Sequence, residues 1–143
     1  MKPVWRTILS VCVGLIAWMV VATILNFPLR VWLPGYAEAE PAMEFTLTMK
    51  IARLLIGGFS SLAAGAVARV IAPASRTAPW AVGVILLALF VPEHVRLWSK
   101  FPVWYHLTFL VTLAPLVALG ATLWSRQTAA GERSASSVAE SGR

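Results

Sequence analysis

The chain has 143 residues, of which 59% are hydrophobic and only 13% charged. Soluble domains carry roughly 25% charged residues, so the composition excludes an ordinary soluble globular domain and argues for an all-α membrane protein. The net charge of +6 is spread over segment ends and not gathered into a stripe, which points to anionic lipid headgroups and away from nucleic acid.

The first span is expected over about residues 5–26. Lys2 and Arg6 followed by apolar residues give it a signal-like start. The run from Ile8 to Leu25 is too long for a signal h-region, however, and no small-x-small cleavage site follows, so it reads as a retained span. Cys12, the one cysteine, lies inside this run and can form no intramolecular disulfide; it reads as a small lipid- or helix-facing residue. Trp18 sits mid-run, where its N–H requires a partner, and Asn26 closes the run before Phe27-Pro28. Residues 27–40 read as an external loop or interface helix. In it, Leu33-Pro34-Gly35-Tyr36 has the Pro-Gly pair of a type II turn, and Glu38 and Glu40 follow.

The second span is expected over about residues 41–72, with Pro41 at the first helical position and Glu44 in the first turn. Gly57, Ser61 and Gly65 recur every four residues, and Ser60, Ala64 and Ala68 form a second ridge beside them. Small residues at this spacing let helix backbones approach closely, which makes this span the expected centre of the bundle. The ridge can serve packing inside one chain, or an interface with a second copy or another protein.

The third and fourth spans are expected over about residues 79–98 and 102–124, with Pro92 and Pro115 inside them. Trp104 and Trp124 lie twenty residues apart, which is ~30 Å of helix, the thickness of a hydrocarbon core. Trp5, Trp32, Trp80 and Trp98 flank the other runs, and the six together read as interface anchors. From Ser125 the composition turns to Ser, Ala, Gly, Glu and Arg, so residues 125–143 are expected to form a disordered polar tail.

Four spans place both termini on one side of the membrane. With the termini inside, seven cations (Lys2, Arg6, Arg69, Arg76, Arg126, Arg133, Arg143) face five outside (Arg30, Lys50, Arg53, Arg96, Lys100), and the positive-inside rule favours this orientation. Arg outnumbers Lys nine to three and Asp is absent. That balance suits a GC-rich bacterial genome, and hence a multi-pass protein of a bacterial inner membrane.

Ionisable residues inside spans are functional candidates by default. Lys50, Arg53, Glu93, His94, Arg96 and His106 all fall near the outer ends of spans two to four. Glu93 is expected to pair either with Lys50 and Arg53 or with Arg96 on its own helix. His94, His106 and Glu93 lack metal-ligand spacing, so no metal and no cofactor are expected. With no Asp, a mid-membrane cysteine and no Gly-rich phosphate loop, no catalytic constellation is present.

The expected function is therefore non-enzymatic: an accessory subunit or homo-oligomeric membrane component, whose partners are the bilayer and a membrane protein or a second copy. The alternative is a small solute or proton-linked transporter or channel built on the polar cluster, and a lipid- or quinone-active enzyme comes third.

Overall fold

A computed structural model of the chain describes the backbone of residues 2–141 and the side chains of residues 4–137. The described residues form helices α1 (Lys2–Trp32), α2 (Tyr36–Ala39), α3 (Leu47–Ile71), α4 (Thr77–Arg96) and α5 (Val103–Ser141), with no strand among them. All but α2 are long and apolar enough to cross a bilayer. In lipid no water is available to the backbone, so an apolar run satisfies its N–H and C=O groups by closing them into a helix. The protein is an all-α, multi-pass membrane protein, a bundle of four transmembrane helices.

Arg6 near the start of α1 donates to the Ile71 carbonyl at the end of α3 (3.1 Å), so these two helices run antiparallel. His94 near the end of α4 meets His106 near the start of α5, which makes that pair antiparallel as well. α3 and α5 run parallel, with Gly57 facing Phe109 and Gly65 facing Val117. The loops at 33–46 and 97–102 therefore share one face of the bundle, here the loop face, and the start of α1 lies on the opposite face.

α3 packs against α1, α4 and α5, as its small residues lead one to expect. Gly57, Ser60, Ser61, Ala64, Gly65 and Ala68 are all buried, whereas Phe59, Leu55, Ile24 and Leu89 are exposed. Small residues inside and large apolar residues outside are the arrangement of a bundle solvated by lipid. A mid-bundle core gathers Trp18, Ala64, Ala68, Val82, Leu86, Leu113 and Val117. A second cluster under the loop face gathers Tyr36, Phe45, Met49, Phe101 and Tyr105.

All four long helices depart from the expected bounds. α1 continues through Pro28 to Trp32, because a spanning helix tolerates a proline where neighbouring elements can satisfy the freed backbone groups. It ends at the type II turn, where Gly35 has φ 75° and ψ 2° and Tyr36 N–H donates to the Leu33 carbonyl (3.1 Å). α3 does not begin at Pro41. Met43 adopts a left-handed φ of 55°, and the helix starts after Thr46, whose hydroxyl accepts from Met49 N–H (3.4 Å) and supplies the cap. At 25 residues, about 37 Å, it is shorter than the ~48 Å that a helix over 41–72 would span. α4 is shifted two residues toward the N-terminus at both ends, with the Ser75 hydroxyl accepting from Ala78 N–H (3.2 Å) before its first turn.

The fourth difference is the tail. α5 does not stop at Trp124 but runs on to Ser141, where the sequence suggests disorder. Ala, Gln, Glu and Arg are good helix formers and no proline interrupts the stretch, so an existing helix propagates into it. Residues 126–137 are nearly all exposed. The side chains of Lys2 and Arg143 and the last two residues lie outside the described residues.

Candidate functional site: a polar-ended cleft inside the bundle

The loop 33–46 folds back over the ends of α1 and α3 and threads their polar side chains into one chain of hydrogen bonds. Arg53 Nη1 donates to the Tyr36 hydroxyl (2.8 Å). Tyr36 in turn donates to Asn26 Oδ1 (2.7 Å), and Asn26 Nδ2 donates to Glu40 Oε1 (3.2 Å). From the far side Arg30 Nε bonds Glu40 Oε2 (2.8 Å). The direction of the chain is dictated by its ends: a guanidinium only donates and a carboxylate only accepts. Asn26 and Tyr36, which can do both, are oriented by that constraint.

Glu40 lies in the loop, outside the spans. Burial opposes its ionisation. The hydrogen bonds from Arg30 and Asn26 and the positive charges of Arg30 and Arg53 outweigh that effect, and hold its carboxyl below the ordinary glutamate value.

Arg53 is placed differently from Arg30. Among the described residues no carboxylate lies within salt-bridge distance of it. Its guanidinium sits over the Phe45 ring, 4.6 Å from the centroid, and Tyr105 stands beside it. Its Nε is buried without a hydrogen-bond partner.

Below this network lies a cleft of about 580 Å³ bounded by α1, α3, α4 and α5. Its polar end is formed by Asn26, Arg30, Glu40, Arg53 and Tyr105, and its apolar end by Trp18, Ile56, Phe90 and Phe109. Thr23, Ile24 and Phe27 also line it and are exposed on the bundle surface, so the cleft opens sideways toward lipid. The apolar end is walled by packed rings: Trp18 and Phe90 are 4.8 Å apart between ring centroids, and Phe90 and Phe109 are 5.1 Å apart. Trp18 Nε1 donates to the Ser61 hydroxyl (3.1 Å), which donates to the Gly57 carbonyl (2.7 Å). This supplies the partner that a mid-bilayer indole requires. Gly57 leaves room for Phe109, whose ring a Cβ at that position would meet at 2.8 Å.

The six polar residues singled out in the sequence fall into separate groups. His94 and His106 meet Nδ1 to Nδ1 at 2.7 Å, buried, so one ring donates and the other accepts. Trp98 stacks on His106 at 4.7 Å, and His106 Nε2 is buried without a partner. Tyr105 stacks on His94 at 6.2 Å and so connects the imidazole pair to the Arg53 end of the cleft.

Glu93 is not between Lys50 and Arg53. It is exposed and reaches only Arg96, 4.0 Å away on its own helix. Residues 93 and 94 point about 100° apart on a helix, and α5 claims the face of His94. Lys50 is half-buried and outside the network. Among the described residues no group of three or more His, Cys, Asp or Glu is placed to hold a metal ion.

The ridge Gly57, Ser61 and Gly65 is spent inside the chain, on α5 and on Trp18 of α1. All six flanking tryptophans are exposed, between 40% and 79%, whereas Trp18 is 8% exposed.

The residues that build the polar end but did not stand out are Arg30, Tyr36, Glu40 and Tyr105. Glu40, just past a Pro-Gly turn that sends the chain back over the bundle, is the signal that could have found them.

No protein-family signature matches the chain, and comparison with curated proteins and with solved structures finds no match.

Proposed function

We propose that this chain is a non-enzymatic component of a bacterial inner membrane, oriented with both termini in the cytoplasm, that takes a small amphiphile from the bilayer into its lateral cleft, alone or as the accessory subunit of a larger assembly. The observation that carries this reading is the cleft itself. A volume of about 580 Å³ falls within the roughly 300–1,000 Å³ of small-molecule sites, and an apolar body with a few convergent polar groups at one end is their usual lining. Self-association has less support, because the small-residue ridge that would serve it is occupied by α1 and α5 of the same chain.

Native mass spectrometry of the protein released from nanodiscs made with its native membrane tests the reading. The expected result is a monomer, or a complex containing it, that retains one small-molecule adduct per chain. A chain that is always bare counts against it.

A proton-linked transporter is the second reading. It is favoured by the buried His94–His106 pair, which reaches the cleft through Tyr105. It predicts a pH-dependent flux in vesicles that is lost in His106→Gln.

A further inference from the structure

Resting on the cleft reading, we infer that the occupant is a single-chain amphiphile with a monoanionic oxygen headgroup of the fatty-carboxylate type, and that Arg53 is the residue that holds the headgroup.

Three observations point the same way. First, Arg53 is a cation inside a span with no carboxylate in salt-bridge distance among the described residues; a guanidinium kept from water requires an anion or a full set of acceptors. Tyr36 occupies Nη1, Tyr105 is a second neutral hydrogen-bonding neighbour of the guanidinium, and Nε remains buried and unpartnered. Arg53 lines the cleft, and the N–H groups a guanidinium presents to such a space suit a carboxylate.

Second, the charged residues lining the cleft are Arg30, Arg53 and Glu40. Glu40 is taken by Arg30 at 2.8 Å, which leaves one positive charge uncompensated and suits a monoanion over a phosphate monoester, whose charge is about −1.5 to −2.

Third, the cleft runs from this end to Trp18, Phe90 and Phe109 and opens beside Ile24 and Phe27. A chain therefore enters from the lipid while its headgroup stays at the depth of Arg53. A volume of about 580 Å³ is of drug-ligand size and does not enclose a two-chain phospholipid. Glu40 also repels a second anion at the rim, and so sets the headgroup deeper, against Arg53.

The test uses the full-length protein in nanodiscs and a fatty acid brominated near the chain end, which quenches indole fluorescence on contact. The signal of Trp18 is obtained as the difference between the parent and Trp18→Phe. The expected result is saturable quenching of Trp18 by the carboxylate, with the half-saturating concentration raised by about tenfold or more in Arg53→Gln, less in Arg53→Lys, and also raised when the probe is the uncharged methyl ester.

Equal quenching of Trp18 by ester and carboxylate overturns the anion assignment and leaves the cleft reading standing. Absence of saturable Trp18 quenching by either probe overturns both. Should Arg53→Gln fail to fold, the comparison of carboxylate with ester in the parent protein still decides.

Discussion

At the residue scale, the polar groups of this bundle are settled by what they can reach. Trp18 N–H and the Gly57 carbonyl are bridged by one hydroxyl, Ser61. Ser61→Ala leaves the indole N–H without its acceptor in a dry core, and should cost about 0.5–2 kcal/mol, seen as a lower unfolding midpoint in detergent. Trp18→Phe removes the donor, so the double variant should cost less than the sum of the two, and strict additivity would count against the bond. Glu40 provides the pH test. Its carboxyl is held below its ordinary value in the folded protein, so folding favours the ionised form. That contribution is complete above the ordinary glutamate value and is lost as the pH falls through the lowered one. The midpoint difference between the parent and Glu40→Gln should therefore be present at neutral pH and shrink on acidification; a difference that stays constant with pH would contradict the network. Glu93→Gln, exposed and paired only at 4.0 Å with Arg96, should leave stability unchanged.

At the element scale, α3 is central because its small residues face two neighbours at once. A Cβ on Gly65 would fall on the Val117 backbone carbonyl of α5, and one on Gly120 on the Leu62 carbonyl of α3, so each helix has a glycine where the other's backbone approaches. Neither carbonyl can move without moving its helix. Gly65→Ala should thus be strongly destabilising, by about 3 kcal/mol or more. Gly58 lies about two turns closer to the loop face, where a Cβ would meet only the Leu116 side chain at 3.6 Å. Gly58→Ala should be neutral or stabilising, since alanine is the better helix former. Thermal unfolding of the two variants side by side checks the pair, and equal midpoints would refute the close α3–α5 approach. The same ridge was legible in the sequence, but not its direction. Four-residue spacing marks a face and does not say whether the facing helix belongs to the same chain.

At the scale of the whole molecule, four crossings put the loop 33–46 and the segment after Trp124 on opposite sides. In a Cys12→Ser background, Ala42→Cys and Thr128→Cys should react with a membrane-impermeant maleimide from opposite faces of sealed vesicles; labelling from one face would overturn the four-span topology. The sequence by itself determined the class of the protein, the number of spans and the type II turn at 33–36, because these follow from local hydropathy and from short-range turn chemistry. It also marked Arg53, His94 and His106 as ionisable residues at membrane depth. Only the tertiary structure decided their grouping: the two histidines against each other, Glu93 turned outward, and Arg53 joined through Tyr36 and Asn26 to Glu40 and Arg30. The physical reason is that a one-residue step on a helix turns a side chain by about 100°. Partners are therefore chosen by the rotation of each helix against its neighbours and by a loop that folds back over them, and neither is encoded in any local stretch of the chain.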